Sequence, residues 1–67
     1  MKYKVDEWVL YCALPDVDIF KDERIPAVVL NVLEDDIFYD YKIYIEGSGK
    51  IKKVREHQLF PMTPPTY

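Results

Sequence analysis

The stretch "IFYDYKIYI", Ile37 to Ile45, gathers Phe38, Tyr39, Tyr41 and Tyr44 into one short segment. Its isoleucines and aromatics are strand formers, and no helical period organises them. Side chains two apart share one face of a strand. Ile37, Tyr39, Tyr41, Ile43 and Ile45 then form one apolar or amphipathic face. Phe38, Asp40, Lys42 and Tyr44 form the other, which holds both charges. The pattern predicts a strand over Ile37–Glu46 with the first set inward and the second outward. Inward tyrosines require that their hydroxyls reach water or a partner.

Working outward from this segment, "GSG" (Gly47–Gly49) supplies the positive φ angles of a tight hairpin, and "KIKKV" (Lys50–Val54) is the strand that returns. "REHQ" (Arg55–Gln58) fits one helical turn, and "LFPM" (Leu59–Met62) a brief last strand. Upstream, "EDD" (Glu34–Asp36) is a turn, and "RIPAVVLNVLE" (Arg24–Glu34) a strand with Pro26 near its start, where a missing N–H is tolerated. Within it Ala27, Val29 and Val32 fit inward if a bulge lies near Asn31, leaving Val28 and Leu30 outward. "LPDVDIFKDE" (Leu14–Glu23) is too rich in Asp and Pro for a strand and reads as a long loop. "DEWVLYCA" (Asp6–Ala13) is the first strand, with Val5, Val9 and Tyr11 inward and Trp8, Leu10 and Cys12 outward. The order predicts an all-β fold: a small five-stranded SH3-like barrel over residues 1–62, with one short helical turn before the last strand. Residues 63–67, "TPPTY", read as a Pro-rich tail. Closure into a barrel suits a small chain because it protects strand edges.

With 67 residues the chain makes one small domain, and its 49% apolar content is enough for a core. One cysteine, Cys12, allows no internal disulfide, and Cys12 with His57 cannot complete a four-ligand zinc site. A free thiol without a secretory signal leads us to expect an intracellular protein, cytoplasmic or nuclear. No apolar run approaches the ~20 residues of a membrane helix. Charge is uneven: Val5–Asp40 holds ten acids against Lys21 and Arg24, whereas Tyr41–Gln58 holds five bases against Glu46 and Glu56. The acidic part argues against simple phosphate-driven nucleic-acid binding. No nucleophile, base or carboxylate pair shows catalytic spacing, so neither enzymatic activity nor a cofactor is expected. In "DVDIFKDE" the fifth and sixth positions of an EF-type Ca²⁺ loop are Phe20 and Lys21, which excludes that site.

Several of these pieces together resemble the Tudor family, with agenet and chromo-barrel domains as relatives. "YKVDEWVLY" is similar to the Tudor opening, with Asp6 where the family usually has Gly. "IPAVV" (Ile25–Val29) resembles the second strand, "IEGSGK" the third hairpin, and "VREHQLFP" the closing turn and last strand. The resemblance spans Tyr3–Pro61 and implies a reader of modified or basic protein tails, as in chromatin. Such readers use an aromatic cage, because methylated cations are attracted to π faces. The cage positions fall on Ala13, Ile25, Ile45 and Ser48, none of them aromatic.

Trp8, Leu10, Val28, Leu30, Phe38 and Tyr44 are the apolar residues expected on solvent faces, and a contiguous patch of that kind marks an interface. The expected function is therefore a non-catalytic protein-interaction module of Tudor-like type. It would use either an outer patch with Trp8, Phe38 and Tyr44, or the loop–hairpin end with Phe20 and Tyr44. There Asp18, Asp22 and Glu23 would attract a basic peptide. One alternative is a nucleic-acid-binding barrel using Lys42, Lys50, Lys52, Lys53 and Arg55. Another is a structural or self-associating module whose patches cover each other. "PPTY" (Pro64–Tyr67) also matches the Pro-Pro-x-Tyr ligand pattern of WW domains.

Overall fold

The computed structural model describes residues 2–14 and 24–62. The expected loop Leu14–Glu23, apart from Leu14, and the tail from Thr63 onward lie outside the described residues, as do Asp18, Phe20, Asp22 and Glu23.

Five antiparallel strands form one sheet: β1 (Trp8–Tyr11), β2 (Ile25–Val32), β3 (Tyr41–Ile45), β4 (Lys50–Val54) and β5 (Leu59–Pro61). A 3-10 turn, Glu56–Gln58, precedes β5. The spatial order is β4-β3-β2-β1-β5, so β2, β3 and β4 form a meander and the last strand returns beside the first. β4 and β5 are the two edges and are not bonded to each other. The chain is all-β as expected, but its sheet is not closed into a barrel. No helix among the described residues is long and apolar enough to cross a membrane.

A single flat sheet would leave both faces wet, yet Val9, Ala27, Val29, Tyr41 and Ile43 have 0% exposure. The sheet therefore curls over its own inner face. Lys52 of β4 reaches the Tyr11 hydroxyl of β1 at 3.4 Å across that face, although these strands stand about 14 Å apart measured along three strand spacings. Tyr11, Ile45, Val54 and Leu59 complete the wall of the core, with Val32 packed against it. The bulge falls where alternation required it: Val29 pairs with Ile43 and Asn31 with Lys42, so the register shifts around Leu30.

Tyr3, which patterning did not place in the core, is 2% exposed. Its ring packs edge-on against Tyr41, centroids 5.7 Å apart. Its hydroxyl donates to the Leu59 carbonyl of β5 at 3.2 Å, and its amide donates to the Tyr41 hydroxyl of β3 at 3.1 Å. The N-terminal segment thus spans the gap that the curled sheet leaves open.

Four of the five strands are shorter than expected, and only β4 keeps its expected limits. β3 begins at Tyr41, not Ile37, and Ile37 is 85% exposed, with Tyr39 also exposed. The cause is Asp36, whose Oδ1 accepts from the Phe38 and Tyr39 amides at 2.7 and 2.9 Å. That local turn competes with strand pairing for the same donors. β1 begins at Trp8, because Asp6 has φ +70° and breaks the extended run, leaving Val5 exposed instead of inward. β1 ends at Tyr11, and Cys12 is buried rather than outward. Its amide donates to the Gln58 carbonyl at 2.9 Å, on the β5 side of the strand. β2 and β5 are each shorter than expected, by the flanking residues Arg24, Leu33 and Glu34, and by Met62. The hairpin is as expected: Gly47 and Gly49 have φ +90° and +70°.

Candidate interaction surface

Directly opposed residues in a sheet point to the same face. Trp8 is opposite Val28, Val28 opposite Tyr44, and Tyr44 opposite Ile51. One unbroken apolar row therefore crosses β1, β2, β3 and β4 on the outer face. Trp8, Tyr44 and Ile51 are 48%, 42% and 55% exposed, and Val28 is half-buried. Beside the row, towards β5, lie Leu10, Pro26 and Phe60, paired in register. Arg24 covers the Phe60 ring, its guanidinium carbon 4.1 Å from the centroid. On the other side Lys42 and Lys53 stand directly opposite each other.

Of the expected patch, Trp8 and Tyr44 share this row, but Phe38 does not. Phe38 lies in the β2–β3 connection with Ile37 and Tyr39, at the far end of β3 from the Tyr44 hairpin. Asp36 fixes that connection, and its second oxygen lies 3.9 Å from the Lys53 ammonium. The two amide hydrogen bonds, ahead of Lys53, hold the Asp36 carboxyl below the usual carboxylate range. Ile51 is the member that sequence reasoning missed. Its run, Lys50–Val54, reads as basic, and only cross-strand register shows that its one exposed isoleucine completes an apolar row.

The expected basic group is divided by the same alternation. Lys42 and Lys53 project on the outer face with Tyr44 and Ile51, whereas Lys50 and Lys52 belong to the face of Ile43 and Ile45. Lys52 turns across that inner face, its ammonium 5.6 Å from the Tyr11 ring centroid. Arg55 lies beyond β4, and its amide donates to the Gln58 side chain at 2.9 Å. Of the cage positions, Ile45 is buried, and Ala13, Ile25 and Ser48 are exposed.

Beneath the sheet runs a polar chain. The Tyr41 hydroxyl donates to Glu56 at 2.7 Å while accepting from the Tyr3 amide, and the Lys2 amide reaches the same Glu56 oxygen at 3.3 Å. Burial, followed by the contact with Glu56, raises the Tyr41 phenol above its ordinary value. The Tyr41 hydroxyl in turn lowers the Glu56 carboxyl. This network is structural: it joins the N-terminal segment, β3 and the 3-10 turn. A shallow open depression lined by Val32–Asp36 adds Glu34, Asp35 and Asp36 to the surface. Among the described residues no group of three or more His, Cys, Asp or Glu is placed to hold a metal.

Compared with family models, curated proteins and solved structures, the chain gives no match.

Proposed function

We propose that this protein is a non-catalytic interaction module that binds a segment of another protein on the outer face of its sheet. The observation that carries the reading is the row Trp8–Val28–Tyr44–Ile51, continuous across four strands and exposed at three of its four positions. A contiguous apolar patch on a small domain is a binding surface far more often than an accident, and Trp and Tyr are common anchors in such surfaces.

We assign the fold to the SH3-like, Tudor-type plan, partly open. Two features support this. β1 bonds to both β2 and β5, as a five-stranded barrel requires. Asp6, standing where the Tudor opening has Gly, adopts φ +70°, a conformation that favours Gly. The reading does not extend to a methyl-lysine cage, since Ala13, Ile25, Ile45 and Ser48 offer no aromatic ring.

Selection from a displayed library of random peptides tests the proposal. Wild-type protein should enrich a shared consensus, and a Tyr44→Asp, Ile51→Asp double variant should not. If both enrich the same peptides, or neither enriches any, the outer face is not the binding surface.

A further inference from the structure

We infer that the outer row receives a short acidic, apolar segment of a partner protein. The segment lies along β3 and β4, with an apolar side chain over Tyr44 and Ile51, beside the Val28–Trp8 part of the row, and a carboxylate between Lys42 and Lys53. The inference rests on the interaction-module reading and adds the chemistry of the occupant.

Size selects a short segment over a second copy of the chain. At their observed exposures Trp8 and Tyr44 each offer on the order of 100 Å². With Ile51 the row presents roughly 300 Å², against the ~800 Å² per partner that a stable interface commonly buries.

Charge selects the acid. Lys42 and Lys53 are direct cross-strand partners, and like charges so placed repel. Lys53 has Asp36 at 3.9 Å, but its side chain remains 56% exposed. Lys42 has no ion pair among the described residues. An incoming carboxylate would be attracted by both ammonium groups and would relieve their repulsion. Lys42 and Lys53 stand two residues along their strands from Tyr44 and Ile51, about 6.8 Å away. Alternate side chains of an extended segment have the same spacing. The matching pattern is therefore an apolar residue followed two positions later by Asp or Glu. Lys42 and Lys53 lie on the side of Tyr44 and Ile51 away from the hairpin, so the acidic end of the segment points that way.

Trp8 is the only tryptophan, so its emission reports the site directly. The probe is a synthetic peptide of about ten residues carrying Phe and Leu, each followed two positions later by Glu. Its control has Lys in place of every Glu. The acidic peptide should shift Trp8 emission saturably and lose roughly tenfold in affinity between about 0.05 and 0.5 M salt. Lys42→Glu, checked for an unchanged circular dichroism spectrum, should weaken the acidic peptide by a similar factor and strengthen the Lys peptide. Equal binding of the two peptides to wild type overturns the carboxylate assignment and leaves the interaction-module reading standing. So does a Tyr44-dependent library consensus lacking acids. A concentration-dependent doubling of sedimentation mass that Tyr44→Asp abolishes would mean that a second copy covers the face, which also overturns the inference. Silence of Trp8 to both peptides, together with no library consensus, removes both proposals.

Discussion

Tyr41 has 0% exposure and yet keeps its hydroxyl satisfied in both senses, accepting from Tyr3 and donating to Glu56. Tyr41→Phe keeps the ring and removes both bonds, leaving the buried Tyr3 amide without its acceptor. The expected loss is about 1–3 kcal/mol, read from urea denaturation. The same pair makes stability depend on pH at both extremes. Glu56 titrates lower when folded than its ordinary 4.5, so its contribution is present above that pH and is lost as pH falls through the folded value. Tyr41 titrates above its ordinary 10.0, so its contribution is full below pH 10 and is lost as pH rises through the folded value. Denaturation midpoints of wild type and Tyr41→Phe across this range should show both slopes flattened in the variant. Asp6 gives a second test. At φ +70°, Asp6→Ala should cost roughly 1 kcal/mol, while Asp6→Gly should stay within about 0.5 kcal/mol of wild type. There the relief of strain is offset by the greater freedom of Gly in the unfolded chain.

At the scale of elements, β4 is the strand the sequence defines best, because the positive-φ glycines of the hairpin fix its start and the 3-10 turn its end. β3 shows what alternation cannot decide. Ile37 and Tyr39 continue the period of Tyr41, Ile43 and Ile45, yet they are not paired. Period two in side chains says nothing about where the backbone donors go, and at this point a carboxylate takes them. Asp36→Ala should therefore speed amide hydrogen exchange at Phe38 and Tyr39 while leaving Ile43 and Ile45 protected. Tyr3 was hidden for the opposite reason: it is a lone aromatic among lysines, and its burial depends on Leu59 and Tyr41, which are remote in sequence. The outer row was half legible. Trp8 and Tyr44 follow from alternation within their own strands, whereas joining them to Ile51, and separating them from Phe38, needs the pairing register. Gly49→Ala also belongs at this scale. A Cβ there would meet the Tyr44 hydroxyl at 3.6 Å, an ordinary contact, so the expected loss of about 1 kcal/mol comes from the φ of +70° alone.

A whole molecule of this length has a stability of roughly 3–10 kcal/mol at 0.05–0.15 kcal/mol per residue. Ile43→Ala, at a fully buried site, should cost about 2–5 kcal/mol, a large share of that total. Trp8→Ala, Tyr44→Ala and Ile51→Ala on the outer face should each change stability far less, since these side chains are already about half exposed. Cys12 offers a direct readout of this difference. It is buried, so a thiol reagent should label it at the rate of unfolding, fast in Ile43→Ala and slow in the outer-face variants. The order of events in synthesis follows from Tyr3. Its hydroxyl is fastened to the carbonyl of Leu59, 56 positions later, and its amide to Tyr41. Almost the whole domain must leave the ribosome before its first residues find their places. The native state cannot be assembled piecemeal from the N-terminus, and the nascent chain stays open to chaperones and proteases until β5 emerges.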